Sequence, residues 1–190
     1  MLTNCDTKFL KRATSPTLYQ KIVCDLQRLT VRHHGVLWIL YYALTIPGFR
    51  AVLLFRLANA CCTKGLIGNA RFLWQLNLLL HSCDIDPQAT IGVGFFFPHP
   101  VGIVIGRQVC IGDNVTIYQN VTIGLVHSRN RPTNNEYPSL GDSVVIAAGA
   151  SVLGKVRIGT NAVVGANAVV LADVPDNATA VGVPARMLNK

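Results

Sequence analysis

From Ile85 onward an apolar residue returns at every sixth position: Ile85, Ile91, Phe97, Ile103, Val109, Val115 and Val121. The series stops at His127. It resumes one residue out of phase at Leu140, Ile146, Val152, Ile158, Val164 and Val170. Glycines sit beside many of these positions, among them Gly92, Gly106, Gly112, Gly124, Gly141, Gly154, Gly159 and Gly165. An α-helix cannot hold a period of six, because its faces recur near 3.6 residues. An ordinary strand alternates by two and is weakened by so many glycines. A triangular solenoid satisfies the period: each hexad supplies a short strand and a turn, three hexads close a coil, and the anchors stack inward as a column. Taken in threes, the anchors predict about four coils.

The break in the series is itself a signal. Residues 125–139, LVHSRNRPTNNEYPS, are polar and unpatterned, and they read as a loop extruded from the scaffold, where functional side chains concentrate. Three Asn-X-Thr sequences, at Asn114, Asn120 and Asn177, fall in the repeat or at its end and read as turn chemistry.

The first 83 residues follow a different period. Ser15-Pro16 reads as a helix N-cap followed by proline at the first helical position. Leu18, Ile22, Leu26 and Leu29 then recur at helical spacing. Val36 to Thr45, Phe49 to Ala60 and Asn69 to His81 are three further helices. The expected architecture is α+β: a helical N-terminal domain over 1–83, then a parallel solenoid domain over 84–190 with one extruded loop.

Charge divides at the same point. Residues 1–83 hold ten Lys+Arg against two Asp+Glu, and residues 84–190 hold seven of each, so the whole net charge of +8 lies in the helical half. No nucleic-acid recognition motif accompanies it. A solvated basic surface, or peripheral contact with an anionic membrane face, are the readings left open. The apolar stretch Gly35 to Phe49 is short for a membrane span and is broken by Pro47-Gly48. No secretory signal is visible, so the expected location is cytoplasmic, with the inner membrane surface as a contact. Six cysteines show no CxxC and no metal-ligand spacing, which predicts free thiols and no metal.

Against this background one histidine stands out. His99, in FFFPHPVGIVIG, falls between the anchors Phe97 and Ile103 and is boxed by two prolines, so it lies outside the inward series. The segments PGFRAVLLFRLA, DIDPQATIG, HPVGIVIG, VTIYQNVTIG and VVGANAVVLADVPDNATAVGVPAR together resemble the left-handed β-helix acyltransferases. More narrowly, they are similar to serine O-acetyltransferases and their polysaccharide-modifying relatives. The resemblance implies a left-handed coil, a homotrimer with active sites between subunits, and acetyl-CoA as co-substrate with no metal. It implies His99 as general base and Asp84, in DIDP, as the carboxylate that orients it, with Asp86 as the rival. An imidazole is suited to drawing the proton from a hydroxyl, and a carboxylate on its other nitrogen fixes the tautomer. For the cofactor arm the matching small residues are Gly124, Ala147, Ala148, Gly165 and Ala166. Lys155, Arg157 and Arg186 are the expected partners of the CoA phosphates.

The same resemblance exposes departures. The serine enzymes hold the amino acid with an aspartate in an Asp-Pro-Ala segment, where this chain has His33-His34-Gly35. They place another aspartate just before the catalytic histidine, where this chain has Pro98. They use an Arg-His pair before a loop proline, where this chain has Glu136-Tyr137. Each lost charged hydrogen bond costs about 1.5–3 kcal/mol. His127 is the loop residue that could substitute for the missing histidine. With His127, Glu136 and Tyr137 as acceptor-side residues, the expectation from sequence is an O-acetyltransferase acting on a sugar hydroxyl in exopolysaccharide or capsule synthesis. The alternatives are a true serine acetyltransferase and, from a different class, a non-catalytic solenoid scaffold.

Overall fold

The computed structural model describes residues 16–30, 35–126 and 136–188. Four helices open the chain: α1 (Leu18–Gln27), α2 (Val36–Thr45), α3 (Pro47–Thr63) and α4 (Ile67–His81). The start of α1 lies at Thr17, not Ser15. Thr17 Oγ1 accepts from the Gln20 N–H and Gln20 Oε1 accepts from the Thr17 N–H at 2.8 Å, a reciprocal capping box. Proline 47 begins α3, where its missing N–H costs nothing.

Short parallel strands follow from Asp84 and stack into three sheets, the three faces of a solenoid. On the first face Ile85, Ile105, Ile123, Val152 and Val170 stand in register. Ile91, Ile111, Leu140, Ile158 and Val174 do so on the second. Phe97, Ile117, Ile146, Val164 and Ala180 do so on the third. All are buried and form one continuous apolar column. Among the described residues this makes five rungs rather than about four. The last coil is two residues short, which takes Val174 and Ala180 off the six-residue count.

Asparagines close the corners. Asn114, Asn120 and Asn177 have φ of 57°, 58° and 59°, the left-handed conformation that asparagine tolerates, so their sequons are turns as expected.

The helices and the solenoid share one apolar core, to which α3 contributes Ala51, Val52 and Phe55, and a buried arginine spans the junction. Arg56 of α3 donates from Nε to Asp25 Oδ2 at 2.8 Å and from Nη2 to Asp25 Oδ1 at 3.1 Å. It also donates to the carbonyls of Ile91 (2.8 Å) and Gly92. Asp25 in turn accepts the Phe95 N–H at 2.8 Å. Burial pushes the Asp25 carboxyl up, while Arg56 and the backbone donors pull it back. Gly48 lets α3 touch the solenoid directly, since a Cβ there would lie 1.9 Å from the Phe97 carbonyl oxygen.

Three arginines of the helical half are committed to contacts within the fold, of which Arg56 is buried. Beside Arg56, Arg28 donates to the Asn114 carbonyl and to Thr116 Oγ1 while lying over the Phe96 ring. Arg50 donates to His81 and to the carbonyls of Ala43 and Leu44 at the end of α2. Among the described residues no single helix is long and apolar enough to cross a membrane. Cys24, Cys61, Cys62 and Cys83 are free thiols as expected, whereas Cys110 is disulfide-bonded and departs from that reading.

His81 gives the fold a pH dependence. The Arg50 Nε–H can only donate, so His81 Nε2 accepts it at 2.9 Å; the proton therefore sits on Nδ1 and is donated to Asn77 Oδ1 at 2.9 Å. Burial, then the Arg50 charge, holds the His81 pKa below its ordinary value of 6.5. The unfolded chain thus takes up this proton more readily than the folded one. The stabilisation is complete above the unfolded pKa and is lost as pH falls toward the folded value. Thermal melts should show Tm falling from about pH 7 to about pH 5, with a shallower fall in His81→Asn. An unchanged slope in that variant would contradict the assignment.

Candidate functional site

The six-residue count conceals an irregularity at His99. Twenty residues separate Ile85 from its stacking partner Ile105, whereas eighteen separate Ile105 from Ile123. The extra pair lies at the corner between the third face and the first, where Pro98 and His99 bulge outward between buried Phe97 and buried Pro100. The sequence series crosses this point unnoticed because each face has two inward positions two residues apart. Ile103 is buried, but the residue stacked on Ile85 is Ile105.

The corner is rigid behind the histidine. Its two prolines restrict the backbone on either side. The Gly102 N–H donates to the Ser82 carbonyl at 3.0 Å and the Asp84 N–H donates to the Ile103 carbonyl at 2.8 Å, so the same corner carries His99 and Asp84. Gly102 has φ +69°, and its missing Cβ makes room for Asn120 Oδ1. His99 itself is exposed and has no hydrogen-bond partner among the described residues.

Asp84 differs from the other solenoid aspartates. Asp86, Asp113, Asp142, Asp173 and Asp176 each accept a backbone N–H at a turn, from Gln88, Val93, Asp113, Arg157 and Thr160 respectively. Asp86 also pairs with the exposed Arg107 at 3.3 Å. These are structural uses, and they weigh against Asp86 as the orienting carboxylate. Asp84 instead receives a side-chain donor from the helical half, Trp74 Nε1, at 2.8 Å on Oδ1. No hydrogen bond joins Asp84 to His99 in the single chain. Catalytic hydrogen bonds are often long before substrate arrives.

Below His99 the same edge continues down the solenoid. The Asn120 N–H donates to the Val101 carbonyl, Gly149 to Gln119, and Asn167 to Ala148. These bonds place Ala147 and Ala148, and then Gly165 and Ala166, on successive rungs of the edge that begins at His99. Small side chains there leave backbone amide groups accessible to an elongated ligand. Gly165 has a packing reason as well, since a Cβ would lie 2.7 Å from Val181 Cγ1.

The other expected residues lie elsewhere. Gly124, Lys155 and Arg157 sit at the far side of the first face, where the Gly154 N–H donates to the Gly124 carbonyl, and both cations are exposed. Arg186 is exposed on the terminal antiparallel strand. Tyr137 packs against the core and over Gly106, with Cε1 3.1 Å from where a Cβ would be. Glu136 is half-buried beside it. His127, His33 and His34 lie outside the described residues. Among the described residues no group of three or more His, Cys, Asp or Glu could hold a metal ion.

Comparison with known proteins converges on one family. The bacterial transferase hexapeptide (six repeats) family matches residues 137–172. The chain is 43% identical over 147 residues to a serine acetyltransferase of Helicobacter pylori, spanning 77% of this chain and 84% of that protein. It superposes on soybean serine acetyltransferase complexed with serine with a TM-score of 0.80 at 36% identity, covering 92% of this chain and 70% of that one. It superposes on a serine acetyltransferase complex with CoA with a TM-score of 0.76 at 34% identity, covering 92% and 71%. The names these relatives carry are those of the serine enzymes and lend no support to the expected polysaccharide-modifying branch. The solenoid is a left-handed parallel β-helix, and the chain is an acyltransferase that belongs to the serine acetyltransferase family of hexapeptide-repeat transferases.

Proposed function

We propose that the protein transfers the acetyl group of acetyl-CoA to the hydroxyl of L-serine, giving O-acetylserine and free CoA. The observation that carries this reading is the 43% identity to the Helicobacter pylori enzyme over 147 residues. In the mechanism His99 Nε2 draws the proton from the serine hydroxyl while Nδ1–H is held by Asp84, which stabilises the imidazolium that forms. The hydroxyl oxygen bonds to the thioester carbonyl carbon, the C–S bond breaks, and the imidazolium proton passes to the leaving sulfur. No acyl-enzyme is required. Ala147, Ala148, Gly165 and Ala166 bound the path of the pantetheine arm along the edge that ends at His99.

The working unit in this reading is a homotrimer of two-domain chains, helical over 1–83 and solenoid over 84–190. Gly124, Lys155 and Arg157, on the opposite edge of the first face, then serve the cofactor from across a subunit boundary, with Arg186 as a further phosphate partner. His127, Glu136 and Tyr137, in and beside the extruded loop, stand on the acceptor side.

A second reading has a specific motive. Pro98 and Glu136-Tyr137 stand where the serine enzymes carry charged groups for the amino acid, so a neutral sugar hydroxyl is the competing acceptor. Product analysis separates the two. Incubation with acetyl-CoA and an equimolar panel of L-serine, hexoses and N-acetylated amino sugars should yield O-acetylserine as the dominant acetylated product by mass spectrometry. Acetylated sugar without O-acetylserine would reverse the assignment.

A further inference from the structure

We propose that Trp74 is a positioning residue for the catalytic carboxylate, holding Asp84 so that a single oxygen faces His99; this rests on the reading of Asp84 and His99 given above. Indole Nε1–H is a donor only, and it occupies Asp84 Oδ1 at 2.8 Å. That bond fixes the rotation of the carboxylate and leaves Oδ2 to receive the imidazole Nδ1–H.

The supports behind the indole are themselves rigid. Trp74, Asn77 and His81 share one face of α4, at the three- and four-residue spacings of a helix. Asn77 Nδ2 donates to the Ala51 carbonyl at 3.0 Å, and His81 bridges Asn77 and Arg50. The face of α4 is thereby locked to α3. From His81 the chain reaches Asp84 in three residues, turning at Ser82 with φ 51°. The donor and the carboxylate are therefore carried by adjacent, anchored segments.

The thiol next door is kept out of the chemistry. Burial, with the Asp84 charge, pushes the Cys83 thiol up to about 12, so it stays protonated and adds no second anion at the corner.

A hydrogen bond to a carboxylate does two things to its partner histidine. It fixes the geometry, and it draws charge away from the oxygen that faces the imidazole. Removing it should slow proton transfer and hold the imidazolium more tightly. Trp74→Phe keeps the ring and deletes the donor. Its kcat should fall about tenfold, as expected for a hydrogen bond to a charged group. KM for both substrates should stay within about twofold, and the acid limb of the kcat profile should move to higher pH. In an Asp84→Asn background the same substitution should add nothing, because the two act as one unit.

A second arm needs no turnover. The chain has two tryptophans, so Trp38→Phe leaves Trp74 as the sole indole emitter. Its emission should change as Asp84 protonates in acid, and Asp84→Asn should abolish that change. A Trp74→Phe enzyme with wild-type kcat and acid limb overturns the proposal, as does a loss that persists in full on top of Asp84→Asn. So does an emission titration unaltered by Asp84→Asn. If L-serine proves not to be the acceptor, the kinetic arm runs with the hydroxyl that is, and the emission arm is unaffected.

Discussion

His99→Ala lowers kcat by about 10²- to 10⁴-fold, the usual contribution of a general base, while KM for acetyl-CoA and serine stays close to wild type. The separation is expected because the imidazole acts on a proton in transit and is not a principal binding contact. A hydroxyl is a poor nucleophile until its proton is drawn off, and no other imidazole among the described residues shares this corner. His81, the other described histidine, is buried and committed to Asn77 and Arg50. The variant should fold and melt like wild type, since His99 is exposed and makes no hydrogen bond among the described residues. A loss below about tenfold would mean that another group takes the proton, and the reading of the Pro98-His99 bulge would fail.

Arg56→Met carries the largest stability loss. Arg56 is 2% exposed, and its guanidinium satisfies Asp25 and two backbone carbonyls at once. Methionine fills much of the volume but leaves the Asp25 carboxylate buried with only backbone donors. Breaking a buried pair by removing one partner costs about 3–5 kcal/mol. The damage spans the junction, because Arg56 joins α1, α3 and the corner after Ile91. The exposed Arg107–Asp86 pair, 57% exposed at the arginine side chain, is the control: Arg107→Ala should cost about 0–1 kcal/mol. Urea unfolding of the two variants beside wild type measures both. Comparable losses would show that the Arg56 network is not what joins the helices to the solenoid.

The repeat and its fold were legible because the core is one-dimensional: every coil buries the same positions, so thirteen aliphatic or aromatic anchors repeat in the sequence. The helices were legible in outline: α2 falls at the expected Val36–Thr45, while α3 and α4 begin two residues before Phe49 and Asn69 and α3 runs on to Thr63. The two-residue bulge was visible only as a histidine between prolines. The series runs through it because Ile85 and Ile103 are both inward-facing, although they do not stack on each other. Trp74 was not legible at all. Its role depends on α4 returning to the first rung, a contact between segments that no local pattern encodes. The preference for Asp84 over Asp86 comes from the resemblance; the structure adds that Asp86 accepts the Gln88 N–H while Asp84 accepts Trp74 Nε1–H.

The acceptor is where the expectation from sequence and the comparisons diverge. The missing charged residues at Pro98 and Glu136-Tyr137 point away from serine, with His127 as the loop residue that could replace one of them. The proposal of serine as acceptor gives more weight to the 43% identity to a serine acetyltransferase than to those individual positions. Steady-state release of CoA thiol from acetyl-CoA, with and without saturating L-serine, tests the account most directly. The account predicts release that depends on serine and is lost in His99→Ala. Release that is indifferent to serine, or that survives in His99→Ala, would contradict it.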